Sequence, residues 1–452
     1  MIFCIVHRGF LRKGMAAALQ YGSYKLLTDI FFALGFPPFF LYSWLTGNHK
    51  DSIHQRLGAY NGISLPAPAQ QTIWLHAASV GEVRAVQALL PELQMMLADA
   101  AFLLSTMTQH GQQVAKEQLN RSLSCFYAPV DVHWVVKRSL AKLKPTCYIC
   151  LETELWPNLL SAAYRAGVKL LLLNGRLSER SLQRYKKIPE LIRPLIQSFA
   201  AIAAISETDR DRFLQLGADP GRITVAGNVK YDLQAARSVD QTDMYRKRLA
   251  IGEHQQVFIF GSTHTGEEKL FLDAFHRLRQ TMADAIFIIA PRHLPRLGEI
   301  ENLLTSSDLQ FDRFSRLNSG NRRHNIILVD TMGELASLYA IGTFIFCGGS
   351  LVPKGGHNIM EAAIWGKPVY YGPHMKDFAD AAEILEARRA SLPINNAEEF
   401  TGSVLALVQS PGKYQEICDR AKTAALAQQG SARRQAELVR NVLIRDKIQS
   451  KP

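Results

Sequence analysis

Glu82 lies in the stretch WLHAASVGEVRAVQALLPEL (74–93), between an apolar run and a helical pattern, and its setting suits two kinds of work. Ser79-Val80-Gly81-Glu82 has the spacing of a capping box, in which the serine oxygen accepts from a first-turn N–H and the glutamate reaches back to the cap. The same spacing would place a reactive carboxylate at a strand-to-helix corner. Gly81 fits the capping reading badly. Glycine is a poor helix former, and its missing side chain lets a ligand approach the backbone.

Other chemistry-bearing residues follow apolar runs in the same way. Glu152 and Glu154 follow TCYIC, ahead of Trp156-Pro157-Asn158; Arg176 follows VKLLLLNG, and Lys230 lies in ITVAGNVKYD. In the second half, such runs lead into Gly261-Ser262-Thr263-His264, Pro291-Arg292-His293 and Asp330-Thr331-Met332-Gly333-Glu334, and then into GGSLVPKGGHNIMEAAIWG (348–366). Paired carboxylates suit proton transfer. A glycine-rich loop opening a helix suits a phosphate, which backbone N–H groups and the helix dipole would both meet. A helix beginning near His357 would aim its positive end there, and Glu361, one turn in, is placed to accept from ribose hydroxyls. Each residue also has a plainer reading. Glu152 can cap the helix opening at Pro157, Lys230 can be a solvated loop lysine, Arg292 a surface charge, His264 a satisfied loop histidine. What favours a site is their common place at the carboxyl ends of predicted strands, where open α/β sheets bind ligands. No Walker motif and no G-x-G-x-x-G opens either half, which removes the usual support for an ATPase or a dehydrogenase. No Asp-x-Asp cluster follows a strand, so a metal-chelated diphosphate donor is not indicated.

The elements that must position these residues are βαβ units. From residue 72, apolar runs TIWLHAAS, AFLLSTMT, TCYICLET, VKLLLLNG and AAIAAIS alternate with amphipathic stretches. After a polar segment at 232–255, read as a linker, the alternation restarts with QVFIFGST, AIFIIAP, NIILVD, TFIFCGG and PVYYGP. Two such blocks predict two Rossmann-like domains with parallel sheets, and 411–447 reads as helical. With 47% hydrophobic and 20% charged residues among 452, disorder is excluded as the default. Lys and Arg outnumber Asp and Glu by 52 to 40, a net +12, which suits a membrane face or a phosphorylated substrate. No nucleic-acid-binding motif accompanies that charge. The six cysteines form no disulfide framework, and Cys147 and Cys150, three apart on one strand, point to opposite faces. Near the N-terminus, LLTDIFFALGFPPFFLYSWLT (26–46) carries no charge for roughly seventeen residues after Asp29, a helix of about 25 Å and marginal for crossing a bilayer. Pro37-Pro38 would break or kink it, and Arg8, Arg12, Lys13, Lys25, Lys50 and Arg56 flank it. It is read as a membrane-seated anchor inserted part way, with a buried helix as the alternative. Met15 is a second candidate start, which would make residues 1–14 an extension.

HAASVGE, ETELWPNLL, NGRLSERS, GSTHTGEE, APRH, DTMGEL, GGSLVPKGGHN and GPH occur in this order. Together they resemble the Kdo transferases of lipopolysaccharide assembly, membrane-associated GT-B enzymes that move 3-deoxy-D-manno-octulosonic acid (Kdo) from CMP-Kdo to a lipid A precursor. The resemblance runs from about 25 to 430. It implies an α/β GT-B fold with two Rossmann-like domains facing a cleft, behind an N-terminal membrane-seated helix. It also implies an extension and anchor at 1–50, an acceptor-binding domain at 51–235, a CMP-Kdo-binding domain at 236–430 and a C-terminal helix or tail at 431–452. It makes Glu82 the catalytic base, with Glu152 and Lys230 as transition-state stabilisers. The CMP contacts become Pro291, Arg292, Met332, Gly333, Glu334, Asn358, Ile359, Met360 and Glu361. The reaction would need no metal or other cofactor, and the protein would work at the cytoplasmic face of the inner membrane with no nucleic-acid partner. A GT-B-fold sugar-nucleotide epimerase and a non-catalytic nucleotide- or lipid-binding protein are the competing readings. After GPH, where the family often has T-F-N-F, this chain has Met375-Lys376-Asp377-Phe378.

Overall fold

The apolar runs pair into two parallel sheets, each carrying its own cores. The computed structural model describes residues 2–46, 50–64, 67, 71–119, 123–234, 240–318 and 320–449. The chain divides into one unit reaching to Asp232 and resuming at Gly430, and a second from Leu233 to Gln429.

In the first unit the strands are β1 (Thr72–His76), β2 (Ala101–Thr106), β3 (Ser124–Tyr127), β4 (Cys147–Leu151), β5 (Lys169–Gly175), β6 (Phe199–Ala204) and β7 (Ile223–Val225). Their order is β3-β2-β1-β4-β5-β6-β7, and the pairings are parallel. In the second unit, β8 (Val257–Thr263), β9 (Ile286–Pro291), β10 (Phe311–Arg313), β11 (Ile326–Leu328), β12 (Phe344–Cys347), β13 (Val369–Tyr371) and β14 (Leu392–Pro393) lie in the order β10-β11-β9-β8-β12-β13-β14. The first order reverses once, about β1 next to β4; the second reverses about β8 next to β12 and again at β11, one strand in from its edge. Loops leaving those neighbouring pairs diverge to opposite sides and open a crevice at the carboxyl ends. The long central strands match the predicted runs. Short β3, β7, β10 and β14 were not predicted: toward a sheet edge, two to four paired residues leave no long apolar run to read.

Cys147 packs in the core on one face of the first sheet, with Val83 and Leu89, and Cys150 in the core on the other, with Leu160 and Phe199. The two-residue side-chain period makes them apolar filler on opposite faces. The second unit is built on phenylalanines: Phe258 stacks on Phe287 at 5.0 Å and on Phe344 at 5.3 Å, and Phe400 covers Phe260 and Phe271.

Three segments differ from their sequence readings. Within the expected linker, Asp240–Arg248 is a helix whose Tyr245 is buried beside Phe314, because its few apolar residues suffice to seat one side. The helix Ile2–Thr46 runs through Pro37 and Pro38 instead of ending there, although each proline leaves the carbonyl four residues back without its N–H donor. The helix Ser431–Gln449, read from the sequence as a separate C-terminal helix or tail, is a helix but packs on the helix Val80–Met96 and on β5 and β6, with Ala432, Ala436 and Val439 in that core.

Candidate functional site

In the first unit, Glu82 sits where the loop leaving β1 becomes the helix Val80–Met96. Ser79 is the N-cap, with extended backbone, but its side chain caps no N–H. Its Oγ instead donates to Glu82 Oε1 at 2.9 Å, while the Ala78 N–H donates to Oε2 at 2.7 Å. The capping box is therefore only half formed. The glutamate reaches back to the residue before the cap, and the serine serves the glutamate. Glu82 is 6% exposed. Burial, then the negative charge of Glu152, push its carboxyl up to about 7; Glu154 adds to this, and the bonds from Ala78 and Ser79 oppose it. A helix N-terminus alone would favour the ionised form. Desolvation outweighs it here.

Glu152 follows β4 across the switch point, at φ +56°, a left-handed conformation that strains a non-glycine residue by about 1–2 kcal/mol. Its N–H is bound to the Leu173 carbonyl at 2.9 Å, so the pairing of β4 with β5 holds the strained turn. Its carboxylate accepts from Lys230 Nζ at 2.5 Å. Gly81 lies beside this pair: an added Cβ would stand 3.6 Å from Lys230 Nζ and 3.8 Å from Ser79 Oγ, an ordinary contact, so the geometry does not demand glycine.

Lys230 is placed by residues that the sequence reading missed. Asn174, at the end of β5, accepts from the Val229 N–H at 3.0 Å through Oδ1, and its own N–H donates to Gln435 Oε1 at 2.8 Å. Gln435, wholly buried on the C-terminal helix, donates to the Gly227 carbonyl at 2.9 Å. Arg434 Nε reaches the Ala226 carbonyl at 3.1 Å, and Asp232 accepts from the Ala432 N–H at 2.5 Å. Asparagine at a strand exit was a readable signal. Nothing local marked Gln435, more than 200 residues from the loop it holds.

In the second unit the loops after β8 and β12 meet over glycines. A Cβ on Gly348 would lie 2.5 Å from the Ser262 carbonyl oxygen, and one on Gly349, at φ +68°, 3.1 Å from the His264 ring. Glu267, with no exposed surface, ties these loops together. Oε2 accepts from the N–H groups of His264 (2.9 Å) and Gly349 (2.7 Å), and Oε1 from Ser350 and Leu351, both at 3.1 Å. Within GGSLVPKGGHN, the N–H groups of Gly349, Ser350 and Leu351 thus serve a carboxylate and are not open to a phosphate. The expected helix from His357 is also shorter, covering only Met360–Ala363.

The remaining candidates gather at the same sheet edge. Pro291 closes β9 and is buried; Arg292 follows it, its N–H on the Thr263 carbonyl at 3.0 Å. Met332 is 63% exposed and Gly333 takes φ +92°. Glu334 accepts a hydrogen bond from Tyr245 on the unpredicted helix. Asn358 Oδ1 accepts from the Met360 N–H at 3.1 Å; Ile359 and Met360 are core residues, and Glu361 lies in the first turn of the short helix. The side chains of Ile359 and Met360 therefore serve packing. Among the described residues, no group of three or more His, Cys, Asp or Glu side chains is arranged to hold a metal ion.

A family model described as 3-deoxy-D-manno-octulosonic-acid transferase (kdotransferase) matches residues 51–233. A bifunctional glycosyltransferase/methyltransferase of Fusobacterium nucleatum is 35% identical over 353 residues, 77% of this chain and 54% of that protein, so the chain spans about half of that relative. A 3-deoxy-D-manno-octulosonic acid transferase of Haemophilus influenzae is 30% identical over 403 residues, 88% of this chain and 93% of the other. Among solved structures, UDP-GlcNAc 2-epimerase from Neisseria meningitidis aligns over 83% of this chain and 100% of its own, at 15% identity and a TM-score of 0.57. That likeness is one of fold alone, GT-B-like in its two parallel α/β units.

Proposed function

The chain belongs to the 3-deoxy-D-manno-octulosonic acid transferase family, and from that premise we propose that it transfers Kdo from CMP-Kdo to a lipid A precursor, lipid IVA, with inversion at the anomeric carbon. The observation that carries the mechanism is Glu82, a buried carboxyl raised to about 7 at the switch point of the first sheet. A base works best when its pKa lies near the working pH. Glu82 takes the proton of the attacking acceptor hydroxyl, which bonds to the anomeric carbon of Kdo as CMP departs. Ser79 Oγ and the Ala78 N–H fix the carboxylate's direction. Glu152 keeps Glu82 basic by its negative charge. Lys230, anchored on Glu152, supplies positive charge where negative charge develops.

The donor's CMP lies at the carboxyl edge of the second sheet, against Arg292, Glu334 and Glu361. Cationic side chains there balance the single phosphate, so no metal takes part. The N-terminal helix seats the first unit on the inner membrane, facing the cytoplasm, where the acceptor's sugars are. Leu26, Leu27, Ile30, Phe31 and Leu34 are exposed along it, in keeping with this reading, although no helix among the described residues is long and apolar enough to cross a membrane.

Incubation with CMP-Kdo and lipid IVA, followed by mass analysis, tests the proposal. Addition of Kdo by the wild type and loss of that product in Glu82→Gln are expected. An epimerised or unchanged ligand from the wild type would refute transfer.

A further inference from the structure

His264 and His357 meet beside the switch point of the second sheet, and their contact depends on a proton. Their Nε2 atoms are 3.0 Å apart, with rings 9° from parallel and centroids 5.2 Å apart. Two imidazoles bond at this distance only if one carries Nε2–H and the other presents a bare Nε2. The pair can accept one further proton at a ring Nδ1 without breaking that bond. A second would set N–H against N–H.

The surroundings are mostly positive. His293 stands edge-on to His264 at 5.5 Å. Arg292, Lys354 and Arg296 add positive charge from three segments. Arg296 is neutralised by Glu268 at 3.0 Å and Glu299 at 3.2 Å. Arg292 and Lys354 have no carboxylate partner among the described residues. Of the carboxylates on the packed elements, both oxygens of Glu267 serve backbone N–H groups and Glu268 holds Arg296, while Glu361 acts on the Cys347 thiol and Asp377 lies beside Gly355. The Cys347 thiol beneath is held protonated by burial. Burial, then Arg292 and the other histidines, lower His357 to about 4, and burial followed by His293 lowers His264 as well.

A cluster with two unpaired cations and a proton-poor histidine pair lacks one component, an anion. We propose that the His264–His357 pair takes up a proton from solvent when the phosphate or carboxylate of the donor arrives, and with Arg292 and Lys354 holds that anion. The inference rests on the reading that the donor binds this unit. It follows from charge balance: an anion beside the rings favours their charged form, and by linkage the charged form favours the anion. The amides of Gly349, Ser350 and Leu351 cannot substitute, because Glu267 has taken them.

Calorimetry of the full chain with CMP, at about pH 7 in two buffers of different ionisation heat, reads the uptake directly. Roughly half a proton or more per CMP is expected, with log affinity falling as pH rises at a slope equal to that uptake. Cytidine, which lacks the phosphate, should bind without uptake. Free Kdo is the parallel arm, and uptake with Kdo but not CMP would assign the pair to the carboxylate. His357→Gln and His264→Gln should each abolish most of the uptake and weaken binding by about tenfold. Ligand binding without uptake, or unchanged uptake in both variants, would overturn the proposal and leave the donor reading standing. Failure of both CMP and Kdo to bind the wild type would overturn the donor reading and this proposal with it.

Discussion

Lys230 gives its charge to Glu152, 2.5 Å away, while among the described residues Glu82 has no cationic partner and keeps its raised carboxyl. The two carboxylates at one switch point thus differ in partner: Glu152 is ion-paired, and Glu82 is buried without a cation. Lys230→Met should leave Glu152 uncompensated and push Glu82 higher still. Activity needs ionised Glu82, so the wild-type rate should rise with pH through about 7 and then level off. In Lys230→Met that rise should move to higher pH, with a plateau lower by about 100-fold. A pH–rate profile of the variant with an unmoved acid limb would contradict this coupling.

Glu82 also carries a stability signature. Its folded value of about 7 lies above the ordinary 4.5, so the unfolded chain releases the proton first as pH rises. The contribution of Glu82 to stability is therefore greatest below about pH 4.5, declines between there and 7, and is flat above. The cost of ionising the buried group amounts to about 3 kcal/mol at pH 8. Glu82→Gln retains an acceptor for Ala78 and never ionises, so it should be more stable than wild type at pH 8 by about 2–3 kcal/mol, with the gain vanishing near pH 4.5. Urea unfolding at those two pH values checks both size and sign.

How far this was legible depends on the range of the cause. Glu82, Glu152 and Lys230 each follow a strand or its adjoining turn, and local motif order sufficed to single them out. The strand ends carrying His264, Arg292 and the Gly348–Gly349 turn were legible for the same reason. What escaped was non-local. The Glu267 side chain was assigned no role, yet it takes three N–H groups of the loop that was read as a phosphate site. Gln435 looked like one more polar residue on a tail helix. Only the chain's return to the first unit brings it under the loop of Lys230.

That return can be tested. Gln435→Ala removes two buried hydrogen bonds, leaving the Gly227 carbonyl and the Asn174 N–H unpaired, and should cost about 2–4 kcal/mol. Turnover should fall by about tenfold or more through misplacement of Lys230, with CMP affinity unchanged, since CMP is assigned to the other unit. Equal losses in turnover and CMP affinity would point to general damage instead.

Metal independence is a separate expectation. Arg292 and Lys354 are side-chain cations assigned to the work of a divalent ion on a monophosphate leaving group. Transfer should continue in EDTA at its ordinary rate. A loss that magnesium or manganese specifically restores would refute this.

The membrane seat needs a gentler test than removing the N-terminus, because the helix Ile2–Thr46 is also part of the first unit's structure. Tyr24 donates to Asp131 at 2.9 Å, Asn158 donates to Thr28 at 3.2 Å, and Phe32 meets Trp134 edge-on at 5.8 Å. Asp131 in turn accepts from the N–H groups of Asn158 and Leu159, so this face anchors the helix that follows Glu152 and Glu154. Tyr24, Thr28 and Phe32 recur every fourth residue on the protein side. Ile30, Phe31 and Leu34 face outward, Phe31 and Leu34 each 73% exposed. Arg56 lies over the Tyr127 ring and donates to the Met107 carbonyl at 2.6 Å, so it is not free for headgroups. The side chains of Arg8, Arg12, Lys13 and Lys50 lie outside the described residues. A buried Leu or Phe contributes about 1.5–3 kcal/mol, against about 1 kcal/mol for a basic residue near an anionic surface. Phe31→Ser with Leu34→Ser should therefore weaken flotation with anionic vesicles by more than about tenfold and leave CMP binding unchanged. Raising salt should weaken it less. If the double variant floats like the wild type, the exposed face of this helix is not the seat; if salt alone releases the wild type, charge and not the apolar face holds it.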